Sequence, residues 1–306
     1  MATHTQHLRT QRQQDFDHLM NVISRFSIHM ALLFFGLCCL IPLLLIVSAS
    51  LTDETALTRS GYRLIPSQFS TAAYDLIFHN PTAILRAYGV TLVTTIFGTI
   101  IALTLMSLLA YVLSRPEFVL RKPLSFFVFF TMLFNGGIVP YYILMTQYLH
   151  AQDTIFALIL PQLVGSFYVL ILRTYFAMLP PELIDAARVD GASEVRIFIS
   201  IALPLAKPAL ATIGLFTALN YWNDWTTPLY FIRDANLYPL QYLLYIIQSN
   251  TQALQLQSAV GNITVGQAPT QTARMAMAVL ATGPAAIFFL FFQRYLIRGV
   301  TLGAFK

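Results

Sequence analysis

Charge is what this chain has least of. Only 10% of its 306 residues are Asp, Glu, Lys or Arg, while 57% are hydrophobic and the mean hydropathy is +0.67. A water-soluble domain carries about 25% charged residues. A chain this poor in charge cannot cover its surface with polar groups, so lipid must cover it instead. Intrinsic disorder, a collagen-like fibre and a typical soluble enzyme are excluded on this ground. Cysteine is scarce too. Cys38 and Cys39 are adjacent inside an apolar run, which rules out a disulfide scaffold. The C-C pair has no metal spacing, and both thiols read as small hydrophobes. The six histidines (His4, His7, His18, His29, His79 and His150) form no H-x-x-x-H or H-E-x-x-H pattern. No paired acids lie within the apolar runs. Neither a catalytic residue nor a metal site is expected. A G-x-x-x-x-G-K-[ST] phosphate loop is also missing.

What the chain has is apolar runs. Stretches free of Asp, Glu, Lys and Arg cover 26–52, 87–114, 123–152, 154–172, 208–223 and 275–293. A bilayer span needs roughly 20 residues. The run at 208–223 stops at Asp224, but apolar character resumes at Trp225. The pattern predicts an all-α polytopic membrane protein with six transmembrane helices, the fifth carrying an acid near its outer end. A polar tail over 1–26 precedes the first run without a small-residue cleavage site, so that run is expected to be retained. The net charge of +5 is spread between the runs and forms no cluster for nucleic acid. With both termini cytoplasmic, thirteen of the 18 Lys and Arg residues fall on the inner side, as the positive-inside rule requires.

Two outer loops are substantial, 51–84 and 233–273. In the second, Tyr238 to Ile247 spaces aromatic and aliphatic residues as a helix does, with Pro239 at its start. Such a helix could lie on the outer membrane face or receive an extracytoplasmic partner.

The segment between the fourth and fifth runs is of a different kind. It holds Glu182, Asp185, Asp190 and Glu194, four of the 13 acids. Pro180 and Pro181 can open a helix, and acids favour its first turn. Gly191 after Asp190 marks a break. Ser193 can cap a second short helix, and Pro204 and Pro208 stiffen the approach to the fifth span. Two short helices with a kink are predicted. Ala186, Ala187, Gly191 and Ala192 are small enough for another protein to come close.

These residues resemble the "EAA" loop of ABC importer permeases, E-A-A-x-x-x-G-x(9)-I-x-L-P. Here the pattern stands as Asp185-Ala186-Ala187, Gly191, Ile201 and Leu203-Pro204. Asp190-Gly191-Ala192 and Phe198 resemble the carbohydrate-uptake branch. Three further stretches resemble the LplC/YtcP group of these permeases: Asn135-Gly136-Gly137-Ile138-Val139-Pro140-Tyr141-Tyr142, Gly61 to Pro66 with Tyr74, and Arg298 to Lys306. That group is associated with oligosaccharides of plant or algal polysaccharides, often rich in uronate, and an alginate importer has a permease of this type. In one position this chain departs from the pattern: the usual Glu is Asp185. A side chain one methylene shorter makes the family's contact to a basic ATPase residue looser or water-bridged, leaves it to Glu182, or caps its own helix.

The resemblance implies a type I ABC importer permease fold. Its expected organisation is a cytoplasmic tail (1–26), a transmembrane permease domain (27–298) with a coupling loop (177–207), and a cytoplasmic tail (299–306). It further implies a second permease subunit as heterodimer partner, an ABC ATPase dimer, an extracytoplasmic solute-binding protein and an oligosaccharide substrate, all at the inner membrane of a bacterium. ATP and Mg would be bound by the ATPase, and this chain would be no enzyme and hold no cofactor. Glu182, Asp185, Ala186, Ala187, Asp190, Gly191, Ala192, Arg196 and Phe198 would couple it to the ATPase. Sugar recognition calls for aromatic faces beside amides and carboxylates, which Asn220, Tyr221, Trp222, Asn223, Asp224 and Trp225 supply. The competing reading of Asp224 is a structural polar contact, and of the tryptophans an interfacial anchor. Asn135, with Gly136 and Gly137, reads as a bend or a close helix contact first and as pathway second. A self-sufficient secondary transporter would need internal repeats and coupling carboxylates. An intramembrane sugar- or lipid-modifying enzyme would need paired acids. Neither set is visible.

Overall fold

Inside a bilayer no water is at hand for backbone N–H and C=O groups, so the chain must satisfy them within its own segments. A computed structural model describes residues 2–79, 81–260 and 271–302, and these are helical almost throughout. Among them the one β-type pairing is an isolated bridge between Thr52 and Phe69. Residues 261–270 of the second outer loop, residues 303–306 of the C-terminal tail and the side chains of His4, His7 and His18 lie outside the described residues.

The chain divides into two units. The first joins residues 1–76 with 267–279. It contains α1 (Ala2–Ser50), α2 (Glu54–Ser60) and α3 (Ala72–Ile77). From Ser24 to Leu44 the side chains of α1 are exposed, as an apolar span is before lipid or a partner covers it. The loop after α1 is firmly built. Asp53 caps α2 by accepting the N–H groups of Thr55 and Ala56, and Tyr74 shares a hydrogen bond with Ser50 at 2.9 Å. The Glu54 carboxylate accepts the N–H groups of Gln271 (3.0 Å) and Thr272 (2.9 Å). These are the first residues of α15 (Gln271–Leu302), so an acid sits where unpaired N–H groups favour one.

The second unit joins residues 77–266 with 280–306. Its axis is α4 (Pro81–Ser114), 34 residues with no proline beyond the first position. Around it come α5 (Arg121–Leu133), α6 (Ile138–Ile143), α7 (Ile155–Ile159), α8 (Ser166–Ala177), α9 (Pro181–Val189), α10 (Glu194–Ile197), α11 (Leu203–Leu205), α12 (Lys207–Trp222), α13 (Thr226–Phe231) and α14 (Leu240–Val260). The helix α4 packs along α12 and α8 and also touches α5 and α14. Small residues permit this closeness: Ala102 and Ala110 of α4 are buried with Ala202, Ala206 and Ala209.

Among the described residues two helices, Ser24–Ser50 and Pro81–Ser114, are long and apolar enough to span a membrane unbroken. Three helix pairs are bent at their joints, two of them inside expected spans and the third where the short helix pair meets the fifth span. Arg121–Leu133 turns by 111° into Ile138–Tyr148, Ile155–Gln162 by 52° into Ser166–Ala177, and Glu194–Leu205 by 80° into Lys207–Trp222. The first bend falls at Asn135-Gly136-Gly137, where Gly137 has φ +86° and donates its N–H to Asn135 Oδ1 at 2.9 Å. That is the bend the glycine pair foretold. Counting each bent pair as one span gives up to five in the described residues. The sixth run, 275–293, lies within α15, whose later side chains are only partly described. The amphipathic helix expected over Tyr238–Ile247 is α14, and it reaches Val260. Pro239 precedes it and accepts the Leu243 N–H at 2.9 Å. The start of α14 is packed: Leu240, Tyr242 and Leu244 are buried, and the Leu240 N–H donates to Thr91 Oγ1 of α4 at 2.8 Å.

Beyond the spans, Asp153 ties two turns together. Its carboxylate accepts the N–H groups of Arg233 and Asp234, and these hold the carboxyl below its usual range.

Two glycines of α4 differ in what surrounds them. A Cβ on Gly98 would lie 2.7 Å from the Tyr221 ring, whereas one on Gly89 would meet nothing within 4 Å. Gly98→Ala is therefore expected to destabilise the protein by about 1–3 kcal/mol through overpacking. Gly89→Ala should stabilise it by up to ~1 kcal/mol through helix propensity. Thermal melting of the two variants in one detergent checks the opposite signs, and equal shifts would contradict the packing account.

Candidate functional site

The segment from Pro180 to Ala202 folds as two short helices about a tight turn. Pro181 opens α9, where its missing N–H costs no hydrogen bond. At the other end, the Gly191 N–H donates to Arg188 O at 3.0 Å and the Ala192 N–H to Ala187 O at 2.9 Å. These are the two bonds of a Schellman cap, and the cap needs a left-handed residue, which Gly191 supplies with φ +78°. The fixed interval from Ala187 to Gly191 is thus the interval from the third-last helical residue to the capping glycine. Ser193 caps α10 by accepting the Arg196 N–H at 3.4 Å. A π-helical turn, Phe198–Ala202, then leads into α11 and α12.

Glu182, Asp185, Ala186, Asp190, Gly191 and Arg196 are exposed, and Ala187 and Ala192 are half-buried. They make one accessible surface, joined by Leu183, Val189 and Val195, which are also exposed. Phe198 differs from the rest of the expected set. It is buried, with its ring 4.9 Å from Tyr111 and 6.3 Å from Phe176, so it anchors the segment and presents no outward face. Asp185 lies in the middle of α9, so it caps no helix end. Its carboxylate is 3.8 Å from Arg188 Nη1.

Behind this surface lies a polar cluster. Arg188 donates to Glu194 Oε1 from Nε (3.0 Å) and Nη2 (2.8 Å), and to Glu117 Oε1 from Nη1 (2.8 Å). Tyr111 donates to Glu194 Oε2 at 2.9 Å and accepts from Arg115 Nη2 at 2.6 Å. The Arg188 hydrogen bond holds the Glu117 carboxyl below its usual range, and the bonds to Glu117 and then Glu194 push Arg188 upward. Tyr111, Arg115 and Glu117 escaped the sequence reading. The available signal was an oppositely charged pair, Arg115 and Glu117, just past the second apolar run with a tyrosine one turn earlier.

The second candidate set, 220–225, does not act as one group. Tyr221 and Trp222 are buried. Tyr221 OH donates to Ile159 O (2.9 Å) and Trp222 Nε1 to Ala281 O (3.0 Å). Asn220, Asn223, Asp224 and Trp225 do meet, lining with Gln162, Leu219 and Thr226 an open cavity of about 370 Å³. Asp224 is engaged on both oxygens. Oδ1 caps α13, accepting the N–H groups of Thr226 (3.1 Å) and Thr227 (3.0 Å), and Oδ2 accepts from Gln162 Nε2 at 2.7 Å. Trp225 stacks on Tyr245 of α14 at 4.6 Å. Asn135 does not line this cavity. The described residues contain no group of three or more His, Cys, Asp or Glu placed to hold a metal.

Residues 87–302 match the family described as binding-protein-dependent transport system inner membrane component. The chain is 37% identical to the polygalacturonan/rhamnogalacturonan transport system permease protein YtcP of Bacillus subtilis, over 90% of this chain and 95% of that one. It is 35% identical to protein LplC of the same organism, over 89% and 90% of the two chains. Among solved structures it is similar to a chain of a bacterial ABC transporter involved in the import of the acidic polysaccharide alginate. The TM-score there is 0.73 and the identity 29%, covering 88% of this chain and 96% of that one. With these matches and the capped helix pair at its fixed spacing, the chain belongs to the family of inner membrane permease components of binding-protein-dependent transport systems.

Proposed function

We propose that the chain is one of two permease subunits of an ATP-driven importer for oligosaccharides, and that its substrates are uronate-rich. The observation that carries this reading is the exposed α9–turn–α10 surface, which displays the Asp185-Ala186-Ala187 and Gly191 pattern to a partner. Both YtcP and the alginate transporter are named for acidic polysaccharides, which supports the substrate class. In this reading the chain crosses the inner membrane of a bacterium six times with both termini in the cytoplasm, and the permease domain spans 27–298. The segment 177–207 lies beneath the membrane against an ABC ATPase dimer that binds ATP and Mg. A second permease completes the channel, and a soluble binding protein delivers sugar from outside. Closure of the ATPase dimer displaces the segment and rocks the helices between inward- and outward-facing states.

The sugar-contacting group is Asn220, Asn223 and Trp225, joined by Gln162. Tyr221 and Trp222 serve packing instead. The cavity presents carboxamides and one indole, and Asp224 keeps its charge within its own hydrogen bonds. Such a lining suits an anionic sugar better than a free carboxylate would. Purification with the co-expressed partners, followed by ATPase assays against oligogalacturonates, oligoalginates and neutral arabino-oligosaccharides, tests the substrate class. Stimulation by the neutral sugars alone would overturn it.

Orientation is checked by thiol labelling in a background lacking Cys38 and Cys39. A cysteine at position 190 should react with a membrane-impermeant reagent only after the cells are opened, and one at position 70 while they are intact. The reverse pattern would invert the topology.

Gly191 separates backbone from surface effects. A non-glycine residue in the left-handed region costs roughly 1–2 kcal/mol, and Asn tolerates it best. Gly191→Leu is expected to abolish ATPase capture and uptake. Gly191→Asn should keep the cap and lose only the close approach. Undiminished ATPase capture together with normal uptake in both variants would remove the coupling role.

Asp185 tests the charge. A charge-assisted hydrogen bond to a basic ATPase residue contributes roughly 1.5–3 kcal/mol when largely desolvated, so Asp185→Ala should weaken assembly about ten- to a hundredfold. Asp185→Glu should be tolerated and Asp185→Asn should fail. Normal pull-down and uptake by Asp185→Asn would pass the role to Glu182.

A further inference from the structure

The α9–α10 segment is joined by the chain to α8 and, through the π-helical turn, to α12, but not to α4. All the same, it is fastened to α4. Glu194, the first residue of α10, takes the Arg188 fork on Oε1 and the Tyr111 hydroxyl on Oε2. Tyr111 belongs to the last turn of α4 and is 5% exposed. Its ring meets Phe176 of α8 edge-on at 5.8 Å and Phe198 at 4.9 Å. The Arg115 guanidinium lies over the same ring at 4.3 Å. Arg188 reaches past α4 to Glu117, in the turn that follows it. Three elements that are distant in sequence therefore converge on one tyrosine and one glutamate.

We propose that Tyr111, Glu194 and Arg188 form a clamp that makes the ATPase-facing segment and α4 move as one body, so that displacement of the segment is delivered directly to the central helix of the unit. The position of α4 gives the clamp its reach. At its other end Thr91 accepts the first N–H of α14, Arg86 bonds Asn236, and Tyr88 OH donates to Leu280 O. A push at Tyr111 thus arrives at α14 through one unbroken helix, while the routes through α8 and α12 pass a bend. The three residues act by positioning: Tyr111 is buried, and Arg188 and Glu194, though partly exposed, direct their charged groups to one another, to Tyr111 and to Glu117. Arg115 Nε is buried without a hydrogen-bond partner and lies 4.0 Å from Glu194 Oε2, a contact that a small shift closes.

This inference rests on the reading of the segment as the ATPase contact, and the test separates the two. The complex, with Cys38 and Cys39 replaced by serine, is spin-labelled at Val119→Cys and Ile199→Cys, positions 90% and 57% exposed and neither of them among the residues of the ATPase-facing surface. The label distance is measured without nucleotide and after trapping with Mg-ATP and vanadate. In parallel, an Asn223→Cys thiol reports the cavity near α14 by its rate of reaction with an impermeant reagent in both states. A rigid clamp gives one narrow distance that trapping does not change. Tyr111→Phe keeps the ring packing and removes the hydroxyl, and Glu194→Gln removes the charge. Each should broaden the distance and reduce the ATP-dependent change at position 223 about tenfold, the loss expected for a hydrogen bond to a charged group. The double variant should lose little more than either single one, because both act in one network. These comparisons use variants that melt at the wild-type temperature, so general destabilisation does not enter. A wild-type distance that shifts on trapping overturns the clamp. So do variants that keep the full response at position 223. If the wild-type chain captures no ATPase at all, the coupling reading falls and the clamp with it.

Discussion

The shape of the segment between α8 and α12 depends on the guanidinium of Arg188. Its backbone lies in the Schellman cap of α9, and its side chain reaches across the turn to Glu194 and out to Glu117. One residue thus closes the turn from both sides. Ion pairs this exposed contribute roughly 0–1 kcal/mol apiece, so the geometry does not rest on their strength alone. It rests on their being anchored: Glu194 is held by Tyr111, and Tyr111 is buried between Phe176 and Phe198. The outward surface can then be small and plain, with Ala186, Ala187, Gly191 and Ala192, because the rigidity lies behind it.

The same economy governs Asp224. A carboxylate at membrane depth is costly unless its oxygens are bonded, and here both are. Oδ1 caps α13 and Oδ2 takes the Gln162 amide. The acid therefore fixes the break between α12 and α13 and sets Asn220, Asn223 and Trp225 around a cavity. Of the two readings open at the sequence level, structural contact and sugar path, the first describes the carboxylate. The second is what we propose for the side chains it positions.

What could be read from the sequence followed from local chemistry. The apolar runs, the helix pair at 181–197, the glycine turn at 191 and the serine cap at 193 each depend on residues a few positions apart. The glycine pair at 136–137 announced its bend for the same reason. The bend at 163–165 was not anticipated, because it falls within an apolar run that reads equally well as continuous helix, whereas Pro204 and Pro208 marked the approach to the fifth span. Gln162 was missed because it stands in one apolar run and Asp224 ends another, 62 positions away. Tyr111 was missed for a related reason: a tyrosine inside a span resembles any other aromatic until a partner 83 residues on reaches it. Burial likewise divided the 220–225 cluster along a helix face that composition does not display.

Continuity is then the property that sets α4 apart from the other spans of its unit. At 1.5 Å per residue its 34 residues extend about 50 Å, well beyond a hydrocarbon core of roughly 30 Å. Both ends therefore emerge from the apolar layer, which lets Tyr111 meet charged groups at one end and Arg86 meet Asn236 at the other. Each neighbouring span described in this unit is interrupted. Asn135-Gly136-Gly137 breaks one, Gly165 another, and Ala206 between Pro204 and Pro208 the third. Broken helices absorb displacement at their joints, whereas an unbroken one transmits it. In this unit the broken spans pack around the unbroken α4, so the jointed and the continuous elements meet along one helix.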